Sequence, residues 1–144
     1  LKNKVNEWKW HGTVEDILDY WFQTESRIDE RMLKVIDDLR QKGIKCYVVT
    51  NQEKYRTEYF RKQMHFEEIF DRIFSSAYIG YRKPEKKFFE YVLGELKVRP
   101  EEILYWDDSE GYIESARKLG MKAYLYTNFE NFQAQTVTLA EVSL

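Results

Sequence analysis

The sequence predicts an α/β protein: a doubly wound, mostly parallel Rossmann-like sheet with a helical appendage before it. Three observations predict it. Short apolar runs of strand length recur along the chain, IKCYVV at 44–49, RIFSS at 72–76, ILYW at 103–106 and KAYLY at 122–126. Segments between them carry apolar residues at helical spacing. Gly43 and Gly120 stand where two of those helices would stop. Residues before about Arg27 contain no strand, so they read as an addition to the sheet rather than part of it.

Composition sets the bounds. The chain has 144 residues, 43% of them hydrophobic and 33% charged, which suits one compact domain. Its 23 basic and 25 acidic residues are interspersed, so nothing suggests a nucleic-acid partner. No run of 18 apolar residues suggests a membrane span. Cys46 is the single cysteine and falls in an apolar run, the setting of a buried, inert thiol in a reducing compartment. His11 and His65, with one Cys, make no zinc site. Three lysines by position 9 and no apolar stretch argue against a signal peptide, and a cytoplasmic location is expected. The first residue is Leu, which hints at a piece of a longer polypeptide or a trimmed chain.

In chain order, residues 1–11 are polar, carry Trp8 and Trp10, and show no period. Thr13 is an N-cap with Asp16 three residues on, and Val14, Ile17, Leu18 and Trp21 then share a helical face. A second helix runs from about Asp29 to Lys42 and stops at Gly43. The strand Ile44–Val49 closes on Thr50-Asn51, and the helix after it is expected to turn Tyr55, Tyr59 and Phe60 inward. A helical turn around Phe66–Phe70 leads to the strand of Arg72–Ser76. Pro84 is expected to start the next helix, where a missing N–H costs nothing, with Phe88, Phe89, Val92 and Leu96 buried. Pro100 opens a turn before the strand Ile103–Trp106, which reads as buried on both faces and ends in Asp107-Asp108-Ser109. A helix from Gly111 to Leu119 and a strand Lys122–Tyr126 follow. From Phe129 on the pattern fades into QTVTLAEVSL, an edge strand or a loose tail.

Ligands of open α/β sheets bind at the carboxyl ends of strands, and three polar groups fall there or in the loops beside. Thr50 offers a hydroxyl and a backbone N–H to one anionic oxygen. Lys83 offers a fixed positive charge from a loop stiffened by Pro84. Asp107 and Asp108 repel each other, a cost that a hard cation such as Mg²⁺ relieves. Hydroxyl, ammonium and metal together suit a phosphoryl group, whose charge is spread over several oxygens. Each also has a plainer reading: Thr50 with Asn51, or one of the aspartates, as a helix cap, and Lys83 as one solvated lysine among many.

At this point the chain resembles the haloacid dehalogenase-like (HAD) hydrolases, over about Ile28 to Asn128. The likeness rests on VVTN at 48–51, GYRKPEKKFFE at 80–90 and LYWDDSEGYIESARKLGMKAYLYT at 104–127. It implies a magnesium-dependent phosphatase acting on a small phosphomonoester through an aspartyl-phosphate. Thr50 would bind the transferring phosphoryl group, with Asn51 and Lys83 among the substrate-binding candidates. Lys83 would steady the charge of nucleophile and phosphate, and Asp107 and Asp108 would hold Mg²⁺. A helical cap inserted after the first strand would correspond to residues 1–26, with Trp21 and Phe22 near its substrate face, and residues 27–144 to the core.

Two departures stand out. Tyr112 occupies a position where the family often has Asn or Asp, which would loosen support for the metal. The family's nucleophile, the first Asp of an Asp-x-Asp motif ending an N-terminal strand, is missing: Asp16, Asp19, Asp29, Asp37, Asp38 and Asp71 follow no apolar strand-like run. That strand would lie between those of Cys46 and Leu104. Either residues upstream of Leu1 supply it or another segment, such as Thr136–Leu144, fills its place. A receiver domain is set aside because its acidic pair comes first in the chain, and no nucleotide-binding glycine loop occurs. A dehalogenase and a non-catalytic binding relative stay open as alternatives. Oligomeric state is not legible.

Overall fold

The computed structural model describes residues 11–142, with side chains as far as 136. Helix α1 (Val14–Glu25) starts with the expected capping box, in which the Thr13 hydroxyl accepts from the Asp16 N–H and the Asp16 carboxylate accepts from the Thr13 N–H. Helix α2 (Glu30–Gln41) is capped by Asp29 and leads into Gly43 at φ 81°, a left-handed turn that glycine adopts without strain. Strand β1 (Tyr47–Thr50) pairs in parallel with β2 (Arg72–Ser75) through helices α3 (Lys54–Lys62) and α4 (Phe66–Ile69). After the short α5 (Ser76–Ile79) comes α6 (Lys86–Leu96), then a 3-10 turn at Pro100–Glu102. Strand β3 (Leu104–Asp107) crosses through α7 (Glu110–Lys118) to its parallel partner β4 (Lys122–Leu125), and α8 (Phe129–Val142) follows.

The four strands thus form two parallel pairs, β1 with β2 and β3 with β4, and among the described residues no strand bonds β1 to β3. The two pairs still share one core. On one face Phe88 and Phe89 of α6 pack with Phe74 of β2 and Tyr105 of β3, the rings of Phe89 and Tyr105 lying 5.6 Å apart edge to face. On the other face Phe132 of α8 meets Trp106, the next residue along β3, at 5.1 Å. There Arg31 of α2 reaches α8, paired with Glu130 at 2.8 Å and lying over the Phe129 ring. Helices therefore tie the two strand pairs together on both faces.

Several sequence expectations change. The first strand begins at Tyr47 rather than Ile44, because the Cys46 N–H is taken by the Asp71 carboxylate at 2.9 Å and Ile44 is exposed. Cys46 is half-buried, and burial raises its thiol pKa above the ordinary value. Tyr55 points to solvent, since Thr57 takes the fully buried position of α3. Pro84 does not start α6, which opens two residues later at Lys86. Strand β3 is not buried on both faces: Leu104 is exposed at the edge where the strand enters. As far as residue 142 the tail is neither edge strand nor loose. Asn128 accepts from the Asn131 N–H at 2.8 Å and starts α8, so residues 136–142 are helical and do not fill the space beside β1. In α1, Phe22 is the buried residue, against Tyr59 at 5.3 Å, while Trp21 is exposed. Of residues 1–26, read as a cap, α1 is described, whereas residues 1–10 with Trp8 and Trp10 lie outside the described residues.

Candidate active site

The ends of β1 and β3 are joined by the loop between α5 and α6. Lys83 from that loop is the bridge. Its ammonium donates to the Val49 carbonyl of β1 at 3.1 Å and to Oδ2 of Asp107 of β3 at 2.5 Å. Both side chains are buried, at 7% and 9% exposure, so the ion pair sits largely out of water, where it is strong and where either partner alone would be unfavourable. Tyr105, two residues before Asp107 and so on the same side of the strand, donates its hydroxyl to the same Oδ2 at 2.6 Å. Oδ1 accepts the Ser109 N–H at 3.1 Å. Burial opposes the charge on Asp107, yet the bonds from Lys83 and Tyr105 outweigh it and hold the carboxyl below the usual range. Burial and then the Asp107 carboxylate push the Tyr105 phenol well above its ordinary value, so it stays a neutral donor.

Asn51 fixes the same loop from the β1 side. Its Oδ1 accepts the Lys83 N–H and its Nδ2 donates to the Lys83 carbonyl, both at 2.8 Å. That amide also donates to the Tyr112 hydroxyl at 3.2 Å, and the Tyr112 ring lies 4.9 Å from the Lys83 ammonium. The loop after β1 is anchored in turn by Ser76, whose hydroxyl accepts the Gln52 N–H at 3.1 Å, and by the buried pair Thr57–Ser75 at 2.7 Å.

The structure therefore brings Asn51, Lys83 and Asp107 together through direct bonds. Thr50 is half-buried at the end of β1 beside them, and no described group bonds its hydroxyl. Asp108 diverges: it is exposed, and among the described residues no hydrogen bond or ion pair engages it. The donors fit a hard cation in kind, since Mg²⁺ takes carboxylate oxygens and is often held by only one or two of them with water and phosphate. They do not enclose one, because among the described residues no group of three His, Cys, Asp or Glu side chains converges. Asp108 and the Oδ1 side of Asp107 are the groups that would hold it. Tyr105, Ser109 and the favourable placement of Tyr112 escaped sequence reading. Only Tyr105 left a trace, in its i−2 spacing from Asp107.

The sequence profile of the haloacid dehalogenase-like hydrolases matches residues 2–126. The chain belongs to that family. Among its relatives are a drimenol cyclase of Aspergillus calidoustus, 29% identical over 78% of this chain and 22% of that protein, and a sesquiterpene phosphatase of Aspergillus oryzae, 34% identical over 66% of this chain and 48% of that protein. The chain thus spans less than half the length of these relatives. A haloacid dehalogenase-family enzyme of Bacteroides thetaiotaomicron, solved with magnesium and inorganic phosphate, shares the fold with a TM-score of 0.75 over 91% of this chain and 71% of that one, at 20% identity. The chain has an α/β fold with parallel strands and helices, as the sequence predicted. Among the described residues no helix is long and apolar enough to cross a membrane.

Proposed function

We propose that this haloacid dehalogenase-like chain is the greater part of the core of a magnesium-dependent phosphatase for a small phosphate ester. The observation that carries the reading is Lys83, a buried ammonium held between Val49 and Asp107 at the carboxyl ends of β1 and β3. A fixed cation placed before the substrate arrives stabilises charge that develops on phosphoryl oxygens without having to reorganise. Thr50 donates its hydroxyl and backbone N–H to one of those oxygens. Asn51 keeps the Lys83 loop in place. Asp108, with Asp107, would hold Mg²⁺, which would neutralise phosphate charge. No described Asp or Glu besides Asp107 touches Lys83, so the attacking carboxylate comes from a strand seated between β1 and β3. The sesquiterpene phosphatase relative supports phosphate-ester chemistry, and the assignment of substrate stops at that class.

The test is release of inorganic phosphate from an aryl phosphate by the intact protein that carries this chain, with and without Mg²⁺. Turnover is expected only with the metal, and Asp108→Ala is expected to abolish it. Lys83→Ala is expected to lower kcat by about 10²-fold or more. Lys86→Ala and Lys87→Ala serve as controls, since Lys86 pairs with Glu90 on the helix surface and Lys87 lies over Tyr81. Absence of turnover, or equal turnover in Asp108→Ala, overturns the reading.

A further inference from the structure

Lys83 carries the proposed chemistry, so what aims its ammonium matters. A lysine head has three N–H donors on a flexible stem, and two acceptors, Val49 O and Asp107 Oδ2, leave one direction undetermined. The Tyr112 ring covers part of the space that remains, 4.9 Å from the nitrogen, while the Tyr105 ring lies farther off at 6.0 Å. An aromatic face attracts a cation through its quadrupole. Unlike a carboxylate it does so without neutralising the charge, and it does not compete with Asp107 for the same donor.

Tyr112 has a second hold on the same lysine. The Asn51 side chain contacts both the N–H and the carbonyl of Lys83, an arrangement that requires its oxygen and nitrogen to face one way only. One hydrogen of Nδ2 goes to the Lys83 carbonyl, and the Tyr112 hydroxyl accepts from the same nitrogen. A flipped amide would lose both bonds to the Lys83 backbone. We propose that Tyr112 is the positioning residue of Lys83: its ring holds the ammonium and its hydroxyl accepts from Asn51, whose amide clamps the lysine backbone. The effect on turnover rests on the phosphatase reading above; the placement of Lys83 does not. Tyr112 is the third residue of α7, so the helix that follows Asp107-Asp108 also sets the lysine opposite them. The expected lack of support at this position is thereby replaced by a role toward the lysine instead of the metal.

The experiment compares wild type, Tyr112→Phe and Tyr112→Leu in the intact protein. Lys83 ε-methylene proton shifts and Asn51 side-chain amide resonances are recorded by NMR, and kcat and KM are measured for the aryl phosphate. Tyr112→Leu is expected to remove the ring-current displacement of the Lys83 signals and to lower kcat by about threefold to thirtyfold, with KM little changed. Tyr112→Phe is expected to keep that displacement and to shift only the Asn51 amide. Lys83 signals that do not move in Tyr112→Leu overturn the proposal, as does a Tyr112→Leu kcat equal to wild type. If Tyr112→Leu does not fold, Tyr112→Phe decides, and unchanged Asn51 resonances overturn the proposal. If the wild type releases no phosphate, the phosphatase reading fails by itself, and the NMR shifts still decide whether Tyr112 positions Lys83.

Discussion

Asp107 and Asp108 are neighbours in sequence with opposite surroundings, and the difference decides what a substitution at each would report. Asp107 accepts from an ammonium, a phenol and a backbone N–H, and its lysine partner is buried. Removing its carboxylate strands the Lys83 charge, which costs about 3–5 kcal/mol in such buried pairs. Asp108 is exposed and lacks a hydrogen-bond partner among the described residues, so Asp108→Ala is expected to change stability by no more than about 0.5 kcal/mol. Urea unfolding of the two variants checks this, and equal midpoints would mean that the Lys83–Asp107 pair is not buried in solution. Asp107→Ala is therefore not the clean probe of metal binding that two adjacent carboxylates suggest on paper. Sequence showed that two acids end a strand. It could not show which one the lysine claims, because that pairing joins residues 24 positions apart.

At the scale of elements, local chemistry was legible where neighbours in sequence decide the outcome and not where distant packing does. Thr13 with Asp16, Asp29 before α2 and Gly43 after it announced themselves because caps bond within a few residues. Helix α8 did not. Its sequence alternates Thr and Val after Gln135, a strand-like habit, whereas what fixes the helix is Asn128 at its start and a seat for Phe132 beside Trp106. Gln135, immediately before that run of Val and Thr, accepts from the Trp106 indole N–H at 2.9 Å, a contact across 29 residues. Phe132→Ala is expected to destabilise the protein by about 3–5 kcal/mol, since a ring with 5% exposure would leave a cavity against Trp106, Tyr126 and Phe129. Thermal unfolding measures it. A loss below about 1 kcal/mol would show that α8 is peripheral rather than part of the second face.

At the scale of the molecule, the strand ends joined by the lysine loop are where fold and proposed chemistry meet. Parallel order, the strand ends and the place of the lysine loop were all readable from the run of motifs, and among the described residues no strand bonds β1 to β3. What could not be read is how the two strand pairs stay together without one. Phe88 and Phe89 tie them on one face, Arg31 joins α2 to α8 on the other, and Lys83 spans between β1 and β3. Among the described residues, no ladder engages the edges of β1 and β3 that face away from β2 and β4. Each buried group without a partner costs on the order of 1–3 kcal/mol, and a few of them rival the roughly 5–15 kcal/mol stability of a whole domain. On the reading that a further strand carries the nucleophile, residues 1–144 expressed alone are expected to melt at a markedly lower temperature than the intact protein and to release no phosphate, since no described carboxylate besides Asp107 meets Lys83. Calorimetry and the aryl phosphate assay on both forms check this. Turnover by residues 1–144 alone would mean that a carboxylate within them does the attacking, and that the seat between β1 and β3 is not where the nucleophile belongs.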